Sequence, residues 1–155
     1  MLVTFLGTKG GTGTTTLAVN VAAGLGPMTG CASLVVDLAV GPGGVALFLG
    51  LRPRRTMLDM IDQHCWTDPA SARRFVTEHS SGLSVVASGD EFGRPSTKDA
   101  EGVEQTLRVL NDLYAYVIVD AGRWFTPCAA AALPLSDLVV LVANPDVPCL
   151  RNLQR

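Results

Sequence analysis

Residues 2–20, LVTFLGTKGGTGTTTLAVN, constrain the fold of this chain more than any other stretch. An apolar, β-rich run (Leu2–Leu6) enters a loop containing Gly10, Gly11 and Gly13, and Thr14, Thr15 and Thr16 then open a helical segment. A glycine-rich turn between a buried strand and a helix gathers backbone N–H groups and the positive end of the helix dipole at one spot, which suits phosphate oxygens. Glycine permits the positive φ values and close backbone approach that such a nest requires. Thr15 and Thr16 put hydroxyls at the helix start, where one can reach Mg2+ or a phosphate. Against the strict pattern G-x-x-x-x-G-K-S/T the stretch departs twice, with Thr8 in place of the first glycine and Thr14 in place of the lysine. On that pattern alone, a glycine turn without a ligand stays open beside a nucleotide site.

Four further apolar runs, Ser33–Asp37, Leu83–Ala87, Tyr116–Asp120 and Leu138–Ala143, mostly lack alternation and predict strands buried on both faces. Helices are expected over 14–25, stopping at Gly26-Pro27, over 56–63, and after Asp68-Pro69 with Asp68 as N-cap. Another is expected over 98–113, with Val103, Leu107, Leu110 and Tyr114 on one face. Gly89–Thr97 reads as a loop. Strands alternating with helices predict an α/β three-layer sandwich with a mainly parallel sheet and right-handed crossovers. A length of 155 residues is one domain's worth of chain. Because Asp146–Arg155 starts like a helix and stops, the expectation is a single nucleotide-binding domain over 1–155, truncated at its C-terminus.

A net charge of −2 gives no basis for strong non-specific attraction to nucleic acid. Arg52, Arg54 and Arg55 form one small basic cluster and Arg73-Arg74 another, but without interleaved aromatics they read as solvated or salt-bridged surface, so DNA is not an expected partner. Charged residues are only 17%, low for a soluble surface, so further sequence or a partner is expected to cover part of the apolar exterior. The four cysteines (Cys31, Cys65, Cys128, Cys149) have no paired spacing and read as ordinary buried thiols in a reducing compartment. His64, Cys65 and His79 form no zinc or Cys–His catalytic spacing. No basic leader, membrane-length apolar run or amphipathic basic tail is evident, so the expected location is cytoplasmic, without direct membrane insertion.

Lys9 shifts the balance toward a nucleotide site. KGGTGTTT resembles the deviant Walker A motif K-G-G-x-G-K-S/T of the MinD/ParA family of ATPases. LVVDLAVGPGGVALFLGLRPRRTMLDMID resembles that family's second strand, switch I and following helix; YVIVDAG (Tyr116–Gly122) resembles its Walker B strand and switch II; LVVLVANPDVPCLRN resembles its later strand and turn. The resemblance thus covers almost the whole chain, and GGVALFLGLRPRRTMLDMID is most similar to the CpaE/TadZ-type branch, which helps place pilus-assembly machinery at a cell pole. Septum-site and flagellar-placement proteins remain open.

The resemblance implies a P-loop fold, ATP or ADP with Mg2+ as cofactors, and a homodimer that sandwiches nucleotide. It implies catalytic roles for Lys9, which reaches the partner's phosphates, and for Asp37, the first acid of the family's D-x-D. It implies nucleotide contacts from Lys9, Gly10, Gly11, Thr12, Gly13, Thr14, Thr15, Thr16 and Gly122, and metal contacts from Thr15, Asp37 and Asp120. Trp124 and Phe125 follow switch II and read either as core or as a nucleotide-dependent interface. Thr14 for the loop lysine and Ala39 for the second aspartate of D-x-D put catalysis in doubt, because phosphoryl transfer depends on positioning and charge neutralisation. The expected protein is an ATP-binding switch with weak or lost hydrolysis that dimerises and recruits or positions a pilus, secretion or division-site assembly, at a cell pole or a membrane-associated complex. Two alternatives stay open: a nucleotide-independent interaction module, and an active ATPase in which Lys9 supplies the missing charge, including the DNA-binding partition type.

Overall fold

The computed structural model describes residues 1–39, 43–89, 97–123 and 125–154. Among these residues six strands form one sheet: β1 (Leu2–Gly7), β2 (Ser33–Asp37), β3 (Thr77–Glu78), β4 (Ser84–Val86), β5 (Tyr116–Asp120) and β6 (Leu138–Val142). Their order is β3-β4-β2-β5-β1-β6, parallel throughout except for β3, which runs antiparallel to β4. The helices are α1 (Thr14–Thr29), α2 (Gly44–Phe48), α3 (Met57–Asp62), α4 (Pro69–Arg73), α5 (Thr97–Leu113), α6 (Pro127–Ala132) and α7 (Val147–Leu153), with short 3-10 turns at Cys65–Thr67 and Leu133–Leu135.

The unalternating strands β1, β2, β4 and β5 are explained by a core on each side of the sheet, whereas β6, expected to be buried on both faces, is an edge strand with Leu138, Val139 and Leu141 exposed. Val35 of β2 and Ile118 of β5 pack with Ala18, Val19 and Ala22 of α1 on one face. Their neighbours Leu34, Val36, Val117 and Val119 pack with Met57, Met60, Leu107 and Leu110 on the other. Successive side chains on a strand point to opposite faces, so a strand covered on both sides can be apolar throughout. Each fully buried Leu, Val or Ile contributes about 1.5–3 kcal/mol relative to exposure. The expected three-layer α/β sandwich with a mainly parallel sheet is thus the observed fold, and the α5 face of Val103, Leu107, Leu110 and Tyr114 is buried as its periodicity implies.

Local expectations differ in several places. α1 does not stop at Gly26-Pro27 but runs to Thr29, with Pro27 inside its last turn. Proline there removes only one late helical hydrogen bond, and the stop belongs to Gly30, whose φ of 71° and N–H bond to Gly26 O (2.9 Å) close the helix. β3 is a two-residue, polar edge strand and gives no apolar signal. α6 (PCAAAA) has no apolar periodicity; Pro127 and the Thr126 cap mark its start. Thr97 opens α5 rather than ending a loop, and residues 90–96 of that loop, like Trp124, lie outside the described residues. Cys31 is exposed, whereas Cys65, Cys128 and Cys149 are buried thiols as expected. Burial, with a smaller contribution from the charge of Asp99, pushes the Cys128 thiol up to about 12.

The sheet order brings the C-terminal ends of four parallel strands together. Asp120 of β5 is in register with Phe5 of β1 on one side and Asp37 of β2 on the other, while Gly7 is in register with Val142 of β6. Crevices at the carboxyl ends of parallel strands are where open α/β sheets bind ligands.

Candidate functional site

The loop from β1 to α1 is fixed at its base by two backbone bonds: Gly7 N–H donates to Gly122 O (2.7 Å) and Thr8 N–H to Val142 O (3.0 Å). Over it opens a cavity of about 470 Å³, within the range of small-molecule sites. The predicted nucleotide contacts Lys9, Gly10, Gly11, Thr12, Gly13, Thr14, Thr15, Thr16 and Gly122 all line it, joined by Ala39, Gly44 and Arg123.

α1 begins at this cavity without a side-chain cap and without an acidic residue in its first turn; its N-cap, Gly13, has φ 89°. By contrast α3, α4, α6 and α7 are capped by Thr56, Asp68, Thr126 and Asp146. A helix start left uncapped keeps N–H donors and a positive dipole end available for an anion. Gly11 also has positive φ (79°), but Gly10 does not. A Cβ at Gly10 would instead lie 2.4 Å from Arg123 Nη1, the far end of a side chain that would have to move aside.

Beneath the loop lie Asp37 and Asp120, both fully buried and neither lining the cavity. Asp120 Oδ2 accepts the Thr15 hydroxyl at 2.5 Å, and its Oδ1 accepts the Gly122 N–H at 3.0 Å. Asp37 accepts the Ala39 N–H (3.0 Å) on one oxygen and the Val45 N–H (3.1 Å) on the other, tying the chain after β2 to the start of α2. Burial, and then the neighbouring charge of Asp120, push the Asp37 carboxyl up to about 6. Burial also raises Asp120, opposed by its bonds from Thr15 and Gly122.

These residues fit a magnesium–phosphate group. Two adjacent buried carboxylates repel one another, and a divalent cation at Thr15 and Asp120 would relieve that repulsion. Among the described residues no group of three or more His, Cys, Asp or Glu side chains gathers for a metal. The Thr15 hydroxyl beside the Asp120 carboxylate offers the one or two protein oxygens that Mg2+ takes when water and phosphate complete its shell.

Two features of the site depart from a phosphate loop with a lysine. Thr14 is 7% exposed and turned inward: its hydroxyl lies 3.1 Å from Thr12 Oγ1, and a Cβ on Gly7 would approach it to 2.2 Å. Lys9 is paired within the chain, Nζ donating to Asp146 Oδ2 at 2.5 Å. This hydrogen bond raises the Lys9 ammonium and holds the Asp146 carboxyl below its ordinary value. Asp146 also caps α7 through the Cys149 N–H (2.9 Å), and Asn152 of α7 donates to Thr8 O (2.7 Å), so α7 is fastened to the loop at two points. Ala39 puts a methyl group at the cavity wall, against Gly122.

Sequence reasoning missed Arg123. Its only signal is a cation directly after the switch II glycine in a chain whose loop lacks its lysine. Of the aromatics after switch II, Phe125 is 71% exposed and so is not core. Arg55 stacks on Phe75 (4.9 Å) and donates to Arg74 O (3.3 Å), a surface arrangement remote from the loop residues. His64 packs on Trp66 and His79 bonds the Ser81 hydroxyl, as structural histidines do. No described helix is long and apolar enough to cross a membrane.

The parallel sheet, the glycine cradle and the Thr15–Asp120 pair give the chain the P-loop α/β fold of MinD and ParA proteins. The family model described as cellulose biosynthesis protein BcsQ matches residues 1–155, and the chain belongs to that family. It is 26% identical over 157 residues to the septum site-determining protein MinD of Helicobacter pylori, covering 100% of this chain and 57% of that protein. Among solved structures it resembles a ParA family ATPase from Chlorobium tepidum TLS (TM-score 0.84, 22% identity, 97% of this chain and 63% of that one). It also resembles MinD complexed with Mg-ADP from Pyrococcus horikoshii OT3 (TM-score 0.77, 20% identity, 97% and 60%). The chain spans about half the length of the curated relatives it matches.

Proposed function

We propose that this chain is the nucleotide-binding part of a switch protein that takes ATP or ADP with Mg2+, dimerises on the triphosphate, and positions or recruits a cell-envelope assembly while hydrolysing slowly or not at all. One observation carries the reading: the uncapped start of α1, wrapped by a glycine nest, lies directly above the Thr15–Asp120 pair. In this reading the N–H groups of Gly10 to Thr15 hold phosphate oxygens, and the Thr15 hydroxyl and Asp120 hold the metal shell. Asp37 fixes the chain after β2 from below, and Gly122 is the pivot of switch II. Bound Mg·ATP supplies charge to be neutralised and a γ-phosphoryl bond to be broken. The methyl of Ala39 has no means of orienting a water molecule, and inward-turned Thr14 brings no charge. Lys9 engages a second subunit's phosphates only after leaving Asp146.

The description of the family points to a cellulose-synthesis assembly, and the CpaE/TadZ-like stretch GGVALFLGLRPRRTMLDMID to pilus assembly. Both are envelope machines, and recruitment to one of them is the shared reading. Calorimetric titration of the full-length protein with ADP and ATP, with and without Mg2+, tests it. Binding that strengthens with Mg2+ is expected, with phosphate release near background that rises in Ala39→Asp. No binding at millimolar nucleotide would leave a nucleotide-independent interaction module instead.

A further inference from the structure

The cavity needs positive charge, and its lining residues supply little of it from the expected places. The loop has threonine where its lysine belongs: Thr14 lines the cavity but brings no charge, and its hydroxyl lies against Gly7 and Thr12. Lys9 points to Asp146. The other lining cation is Arg123. A Cβ built on Gly10 would lie 2.4 Å from Arg123 Nη1, 3.5 Å from Cζ and 3.6 Å from Cδ, so the guanidinium group lies over the backbone of the loop itself. Any side chain at position 10 would displace it.

The backbone that carries Arg123 is also fixed. Gly122, at φ 67°, donates its N–H to Asp120 and accepts the Gly7 N–H on its carbonyl, which ties the residue before Arg123 to both the metal carboxylate and the base of the loop. A guanidinium group so placed brings a planar fork of donors to the cavity beside the loop backbone at Gly10. That geometry suits two oxygens of one phosphate better than a point charge does.

We propose that Arg123 supplies, from within the same chain, the phosphate-binding charge that the loop lacks at position 14, by gripping the terminal phosphates of a nucleoside di- or triphosphate. The proposal rests on the nucleotide-binding reading above and adds to it the residue that compensates for Thr14. It also fits a glycine at position 10, where a Cβ would push Arg123 aside.

The test is calorimetry on the full-length protein with Mg·ADP, Mg·ATP and inorganic pyrophosphate, comparing the unaltered chain with Arg123→Ala, Arg123→Gln and Arg123→Lys. A charge-assisted hydrogen bond of this kind corresponds to a loss of about 10–100-fold in affinity for the two neutral variants. Arg123→Lys, which keeps the charge but not the fork, should recover part of it, and Arg54→Ala on the outer surface should change nothing. Thermal midpoints should stay close to that of the unaltered chain, because Arg123 is exposed. Loss for the nucleotides but not for pyrophosphate would move the grip away from the phosphates and overturn the proposal. Equal nucleotide affinity in all variants would overturn it while leaving the nucleotide site standing. Failure of the unaltered chain to bind any of the three probes would overturn both.

Discussion

Asp37 is the residue at which structure and chemistry pull hardest against each other. It is fully buried, its two oxygens are committed to the N–H groups of Ala39 and Val45, and its proton is held up to about 6. In the unfolded chain the same carboxyl ionises near its ordinary value, about two units lower. Between those values the unfolded state binds fewer protons than the folded state, so folding becomes less favourable as the pH rises. The contribution is fully present below about pH 4 and lost as pH passes about 6, a swing of about 3 kcal/mol. Asp120, raised by burial as well, acts in the same direction. Urea denaturation from pH 4 to 8 should show this decline, and Asp37→Asn should flatten it. That variant also turns an amide N–H toward one backbone donor and loses about 1–3 kcal/mol at the low-pH end. An unchanged pH slope in Asp37→Asn would rule the account out. A buried carboxylate of this kind fits the proposed metal–phosphate site, where a cation would favour its ionised form.

At the scale of elements, α7 is joined to the loop by one side chain with two duties. Asp146 caps α7 through one oxygen and holds Lys9 through the other. Its carboxyl lies below the ordinary range, so the contact persists on acidification until the pH falls through that lowered value, and only then is its stabilisation lost. The duties separate by substitution. Asp146→Asn keeps a cap acceptor but loses the charge that holds Lys9, whereas Asp146→Ala loses both. Hydrogen exchange should show Cys149 and Leu150 amides losing protection in the alanine variant and keeping most of it in the asparagine variant, with the β1 and β5 amides unaffected. Equal loss in both variants would mean that the Lys9 pair, not the cap, orders α7. The sequence names Asp68 as the cap of α4, and Thr56 and Asp146, which the structure shows capping α3 and α7, stand at the starts of the expected helices. Caps are local chemistry and are readable from sequence. The end of α1 was misread because Pro27 is a stronger textual stop than Gly30, although only Gly30 adopts the left-handed conformation that ends the helix.

For the whole molecule, the strands β1, β2, β4 and β5 were legible because burial on both faces permits unalternating strands, although β6 carries the same pattern on an exposed edge, and the loop was legible because phosphate nests demand glycine. Arg123 was not, since its meaning lies in a contact across more than a hundred residues to Gly10. The sheet's two edges are equally hard to read from sequence, and they differ. One ends in β3, two polar-leaning residues that give little template for further pairing. The other is β6, where Leu138, Val139 and Leu141 are 49%, 39% and 54% exposed. β6 pairs only with β1 in the described sheet, so its outer N–H and C=O groups face away from the sheet beside exposed apolar side chains. An apolar edge of that kind pairs with whatever strand is offered, including its own copy. A polypeptide of these 155 residues is therefore expected to associate with rising concentration through β6. Leu141→Lys, which charges the edge without touching the core clusters, should shift sedimentation velocity profiles toward monomer and leave the thermal midpoint nearly unchanged. Association that persists undiminished in Leu141→Lys would assign it to another surface, with the exposed Leu47 and Phe48 of α2 the next to be charged.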